Sequence, residues 1–570
     1  MDETPRSSNG DRGDLDRDDK TTWGDRFRWV FWRRLPFGGL AGALVFFCLS
    51  LTPSLLPRVA LLQGAVAGIT MVIGYGLGSA VSSLIRKIIK REPSTDVKRI
   101  AWWVLVAATV ILVPLFLYLG GRWQDQVRGL MEMEEQAVWQ WGTILVVSLV
   151  VAGLILIISR TIRGLARVLV RFIDRFAPRV VAVVVGVVVT FVVVVGLVQG
   201  FVLDPLMDGL NSTFGVVNDG TSEGIEQPTN PERSGSPDSL VPWESLGVKG
   251  RDFIGSGPTV EEIEDFNGGE AGRPIRVYVG LKSADTVAER VDLAMQELDR
   301  TGAWERDVLA VFTTTGTGWV DARAADPLEY MHNADTALVA LQYSYLPSWI
   351  SFLVDIDKAA EAGREMIQAV HERWSQLPAE SRPKLLLFGE SLGSFGTESA
   401  FAGIDDLIAS TDGALLVGPV FQNEIHSQVT NSREQDSPFW LPVYKAGHNL
   451  RFAVSPADLS QPDTEWSPSR IVYLQNASDP ITYWTTDLVW RSPEWLDEPR
   501  GPDVSEDMFW VPVITFWQTA ADMAFSTGVP AGHGHVYGAD PVDAWAAIYT
   551  PPGWTEVDNR RLRDIIGHEK

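Results

Sequence analysis

The chain has 570 residues, more than one domain ordinarily holds, and 46% of them are hydrophobic. Its net charge of -24 is unevenly placed: the first 203 positions carry 23 basic against 15 acidic residues, the remainder 25 against 57. So acidic a C-terminal part argues against nucleic acid as a partner, and the single cysteine, Cys48, excludes a disulfide within the chain.

Residues 1–24 are polar and dense in Asp, Arg, Ser and Gly, and are expected to form a disordered cytoplasmic tail. Charges precede a long apolar span and no small-residue cleavage site stands out, which argues against a cleavable signal. Residues 25–205 then read as a membrane domain of five spans: Phe37 to Leu56, Val59 to Ile85, Ile100 to Leu119, Trp141 to Ser159 and Val180 to Leu203. Each is close to the roughly 20 helical residues that cross a bilayer core of about 30 Å. The first two, joined through Pro53 and Pro57, read as a helical hairpin.

Basic residues fall in alternate loops. Arg26, Arg28, Arg33 and Arg34 precede the first span; Arg86, Lys87, Lys90, Arg91, Lys98 and Arg99 separate the second from the third; Arg160, Arg163, Arg167, Arg171, Arg175 and Arg179 separate the fourth from the fifth. This pattern predicts a cell-membrane protein with a cytoplasmic N-terminus, and five spans then leave everything after Leu203 outside. Thr161 to Phe176 interleaves Arg with Leu, Val and Phe, the pattern of an amphipathic helix on the inner leaflet or of a solvated connecting helix. No charge sits in the middle of a span, which favours an anchor over a transporter.

Residues 206–250, rich in Pro, Gly, Ser, Asn and Asp, read as a partly ordered linker, with Val241, Pro242 and Trp243 as apolar anchorage. Residues 251–570 alternate strands with helices: strands at Ile275 to Val279, Asp307 to Phe312, Thr336 to Tyr343, Leu385 to Phe388, Ala414 to Val420 and Ile471 to Gln475, and helices at Thr286 to Arg300 and Ile356 to Trp374. Such alternation predicts a mainly parallel sheet with helices on both faces and a ligand site beyond the carboxyl ends of the strands.

At that edge the run Leu385 to Phe388 enters Gly389-Glu390-Ser391-Leu392-Gly393. The flanking glycines allow a turn sharp enough to lift the Ser391 hydroxyl clear of the sheet as a nucleophile. A serine nucleophile needs a base, and the base an orienting carboxylate. Asp479 follows the strand Ile471 to Gln475 and is the candidate acid, ahead of Asp458, Asp463 and Glu424. The loop Gly532-His533-Gly534-His535-Val536-Tyr537 supplies the base, His535 with His533 as the alternative, before a helix starting near Pro541. His332, His371, His426, His448 and His568 lie elsewhere in the chain. Lacking cysteine or H-E-x-x-H spacing, the His533/His535 pair is a weak zinc motif, so no metal or cofactor is expected. The oxyanion donors would be the amide of Leu392 and that of Thr314 or Thr315, in the Thr/Gly loop after the second strand, where no lysine stands at phosphate-loop spacing.

Together with the N-terminal spans, the motifs Thr313-Thr314-Thr315-Gly316-Thr317-Gly318-Trp319, Gln342-Tyr343-Ser344-Tyr345-Leu346-Pro347, Gly389 to Gly393, Ser478-Asp479-Pro480 and Gly532 to Tyr537 resemble the bacterial membrane-anchored α/β-hydrolases found in actinobacteria. Within that broad family some members resemble hydrolases that remove the amino acid from aminoacyl-phosphatidylglycerol. The resemblance implies an extracytoplasmic α/β-hydrolase domain and a membrane or envelope lipid as substrate. Leu346, Pro347, Trp349, Ile350 and Phe352 read as an apolar lid or rim, or as core. Trp484, Trp490, Trp495, Trp510 and Trp517 crowd a long connection that suggests an inserted cap. Envelope acyl transfer, and a catalytically silent module that binds lipid or a partner, are the alternatives. Oligomeric state is not legible.

Overall fold

The structure, a computed structural model, describes residues 35–90, 94–135 and 140–568. The N-terminal tail, Arg26, Arg28, Arg33, Arg34 and Arg91 lie outside the described residues.

The membrane half consists of α1 (Phe37–Ser50), α2 (Ala60–Ile89), α3 (Thr95–Leu130), α4 (Gln140–Ile173) and α5 (Arg179–Val198). Four of these, α2 to α5, are long and apolar enough to cross a membrane. The first expected span is shorter than its apolar run. At 14 residues α1 extends about 21 Å, and Pro53, which disfavours helical geometry at Thr52, ends the run. Glycines hold α1 against α2 with their backbones nearly touching: a Cβ on Gly42 would lie 2.2 Å from the Gly74 carbonyl, and one on Gly78 2.0 Å from that of Gly38. The basic stretch after Ser159 is no separate interfacial helix, because α4 continues through it to Ile173. The expected linker begins as helix α6 (Asp204–Asn218), and its later part docks on the sheet edge, where the Ser234 amide donates to the Arg276 carbonyl at 3.0 Å.

Seven parallel strands follow: β1 (Ile275–Val279), β2 (Val308–Thr313), β3 (Thr336–Leu341), β4 (Lys384–Glu390), β5 (Gly413–Val417), β6 (Leu450–Ala453) and β7 (Arg470–Leu474), in the order β1-β3-β2-β4-β5-β7-β6. Near-continuous apolar runs suit strands covered on both faces. The core includes α7 (Val287–Thr301) and α10 (Ile356–Ser375), which present buried Val291, Ala294 and Leu298, and Ala359, Met366 and Val370. The edge strand β6 escapes sequence reading because it has four residues, one of them Arg451. That guanidinium is nonetheless buried, donating to the carbonyls of Leu459 and Thr464 at 2.7 and 2.9 Å and lying over Trp466.

Leu346, just before α9 (Ser348–Val354), and Ile350 within it are buried, as the core alternative for that stretch expects, while Pro347 and Phe352 are half-buried; the Trp349 side chain lies outside the described residues. The long connection after β7 contains α12 (Ile514–Met523) before α13 (Asp540–Ile548). Its buried apolar residues, among them Tyr483, Leu488 and Trp495, join Leu55, Leu56, Val127 and Met131 from the loop before α2 and the end of α3. The insertion therefore ties the two halves together.

Candidate active site

The site lies at the carboxyl end of β4, where the chain turns through Ser391 into α11 (Leu392–Glu398). Ser391 has φ 54° and ψ -121°, a strained conformation costing about 1–3 kcal/mol that the surroundings must hold in place. Its amide donates to the Val417 carbonyl on β5 at 2.9 Å, and its carbonyl accepts Ser394 Oγ at 2.7 Å. The glycines are required by close approach: a Cβ on Gly389 would stand 2.4 Å from the Gly393 carbonyl, and one on Gly393 2.2 Å from that of Thr313. Helix, elbow and the end of β2 are thus pressed together at contact distance.

Asp479 follows β7, fully buried, at the N-terminus of a short helical turn. Its Oδ1 accepts the Ile481 amide at 2.9 Å; its Oδ2 faces His535 Nδ1 at 2.6 Å and accepts Tyr537 Oη at 2.7 Å. The His535 ring lies against Gly418, where a Cβ would come within 2.4 Å of Cε1. Gly418 adjoins the Val417 carbonyl that holds Ser391, so the imidazole sits one residue across β5 from the elbow. Among the described residues neither Ser391 Oγ nor His535 Nε2 has a hydrogen-bond partner; such contacts tighten when substrate binds. Burial alone would lower the His535 pKa, but the charge and hydrogen bond of Asp479, with a smaller contribution from Glu390, raise it above its ordinary 6.5.

His533 has a different partner. Its Nδ1 lies 3.0 Å from Asp503 Oδ2, which also accepts Ser478 Oγ, and Ser478 Oγ accepts the Gly534 amide at 2.9 Å. This second acid–histidine pair braces the loop that carries His535. Among the described residues no group of three His, Cys, Asp or Glu side chains is arranged to hold a metal. The rival acids stand apart: Asp458 caps a turn through the Ser455 amide at 2.8 Å, and Glu424 is exposed at the start of a half-buried helix. His332 pairs with Asp307, and His426 is buried against Gln475, where desolvation lowers its pKa to about 4. The Thr315 amide is spent on the Trp319 carbonyl at 3.2 Å, whereas Thr314 anchors its loop by Oγ1 to the Leu341 carbonyl at 2.7 Å.

A family described as an alpha/beta-hydrolase family matches residues 275–562, and its N-terminal companion family matches residues 51–258. The chain belongs to that alpha/beta-hydrolase family. No curated protein and no solved structure matches it.

The local pattern marks Glu390 only as the residue between Gly389 and Ser391. In the hydrolase it is nine-tenths buried, next to Ser391, and interacts electrostatically with Asp321, His535, Arg323 and Asp479. Burial first, then the neighbouring Asp321, pushes its pKa up to about 8. The signal was available: an ionisable residue closing an otherwise apolar buried strand. An acid whose folded pKa is raised adds stability that is complete below its unfolded value, near 4.5, and is lost as pH rises through about 8. Glu390→Gln is therefore expected to unfold at a higher temperature than the wild type at pH 9, and at no higher temperature at pH 5. Parallel melting curves at both pH values would mean that Glu390 titrates as an ordinary carboxyl.

Proposed function

We propose that this hydrolase is a membrane-anchored serine esterase that cleaves an ester carried by a membrane lipid. The observation that carries the proposal is the 2.6 Å link between Asp479 and His535 on the flank of the Ser391 turn. Ser391 Oγ attacks the ester carbonyl while His535 Nε2 takes its proton, and Asp479 fixes the imidazole through Nδ1. The tetrahedral oxyanion is held by the amides of Leu392 and Thr314, since that of Thr315 is already committed. Collapse breaks the ester C–O bond, and His535 returns the proton to the leaving alcohol. Water then adds to the acyl-enzyme by the same route, releasing the acid and free Ser391.

The arrangement of the two halves supports a lipid-borne substrate. The α1–α2 loop and the C-terminal end of α3 both pack into the catalytic half, whereas the basic segments around residues 86–99 and 160–179 lie at the opposite helix ends. With those basic ends cytoplasmic, the catalytic domain stands outside the cell against the outer leaflet. Phe352, Phe421, Trp484 and Phe516 form a chain of ring contacts 5.3 to 6.5 Å apart between α9, the loop after β5 and α12, apolar cover suited to an acyl or glyceryl group. The acidic C-terminal part suits a cationic group on the substrate, which keeps aminoacyl-phosphatidylglycerol as the candidate.

Membranes containing the protein, treated with a fluorophosphonate probe and digested, are expected to yield the adduct on the peptide bearing Ser391. Absence of that adduct from the wild type would favour a silent binding module. Lipid extracts from a deletion strain and a Ser391→Ala strain should accumulate the same ester by mass spectrometry, and that species names the substrate. Loss of an acylated envelope component, in place of accumulation, would instead identify acyl transfer.

A further inference from the structure

Residues 51–58 connect two membrane helices yet are buried throughout, and α12 of the catalytic half forms part of their cover. Ser54 Oγ donates to Asp522, the Leu56 amide reaches Asp522 Oδ2 at 3.4 Å, and Arg58 Nε lies 3.3 Å from Asp522 Oδ1, both side chains shut off from solvent. One turn earlier on α12, Gln518 Nε2 donates to the carbonyls of Ser50 and Thr52 at 3.2 and 2.9 Å. An irregular buried loop needs partners for its backbone, and α12 provides them.

The same helix seats the histidine loop. Ser526, just past its C-terminus, accepts the His535 amide at 2.8 Å. Between them Gly534, at φ 51°, packs so tightly that a Cβ would stand 2.7 Å from the Ser526 carbonyl and 3.3 Å from Leu56 Cδ2. Leu56 thus lies directly against the residue that precedes His535. On the acid side, Leu55, Leu56, Val127 and Met131 share one buried cluster with Ala477 and Tyr483, which flank Asp479. Residues adjoining both partners of the Asp479–His535 pair thus pack with side chains from the membrane half.

We infer that the α1–α2 loop is a positioning element of the catalytic centre: Leu56 and the Arg58–Asp522 pair set the place of the His535 loop, so the membrane half completes the active site as well as anchoring it. The effect on turnover rests on the esterase reading above; the effect on the loop does not. An imidazole displaced by 1 Å can lose about a hundredfold in rate, so a modest cavity beneath Gly534 has a large consequence.

The test uses the full-length protein in detergent micelles. Leu56→Ala is expected to lower kcat on a p-nitrophenyl ester, per fluorophosphonate-titrated serine, by about 10- to 100-fold with KM little changed, and Leu56→Met to restore most of it. Leu61→Ala, at a position 64% exposed in the first turn of α2, leaves turnover unchanged. Hydrogen exchange read by mass spectrometry should show residues 526–537 losing protection in Leu56→Ala and in Arg58→Met, while β4 and β7 keep theirs. Wild-type protection of residues 526–537 in both variants overturns the inference, as does wild-type turnover per titrated serine in Leu56→Ala. A wild-type protein that never labels at Ser391 refutes the esterase reading, and the exchange experiment still decides the role of the loop.

Discussion

Ser391→Ala in the full-length protein is expected to abolish fluorophosphonate labelling and to lower ester turnover about a million-fold, leaving only the background that binding and oxyanion stabilisation supply. The fold should survive the change. What holds the turn is backbone: the Ser391 amide on Val417, its carbonyl on Ser394 Oγ, and glycines at 389 and 393 that permit contact with Thr313. Alanine keeps all of these, and Oγ has no hydrogen bond to lose among the described residues. Unaltered abundance and melting temperature with lost labelling is the expected pair of results. Labelling that persists in Ser391→Ala would move the nucleophile elsewhere.

His535→Ala is expected to approach the same loss in kcat, because nucleophile and base act as a unit. His533→Ala should cost far less, about tenfold or under, through slackening of the loop that Asp503 and Ser478 brace. Turnover of the two variants measured side by side decides between the histidines, and equal losses would require both to act at the reacting centre. The pH profile carries the same assignment. The base works only unprotonated, and Asp479 raises its pKa, so kcat/KM should climb with pH through a value above 6.5. Asp479→Asn withdraws that charge, which should move the rise to lower pH while lowering the plateau about ten-thousand-fold.

Much of the architecture is legible in the chain. Long apolar runs declare the membrane helices, and short apolar runs alternating with amphipathic ones declare a parallel sheet, because burial on both faces leaves no polar alternation. The elbow is legible for a harder reason: Gly389 and Gly393 occupy positions where any Cβ would collide with backbone. Other features depend on partners distant in sequence. Periodicity could not shorten the first span at Ser50, since Leu55 and Leu56 are as apolar as a span requires but serve a cluster shared with the catalytic half. Nor could it exclude His533 in favour of His535 as the partner of Asp479, or pair His533 with Asp503, since the two histidines have nearly the same local surroundings.

The sequence alone therefore determined the membrane helices, the parallel sheet and the turn at Ser391, all set by local spacing and by the steric demands of single residues. Only the tertiary structure decided which histidine meets Asp479, that Glu390 is buried against a second carboxylate, and that Leu56 supports the histidine loop. Those contacts join segments 56 to several hundred residues apart, and their geometry follows from how sheet, insertion and membrane loop pack, which no local pattern encodes.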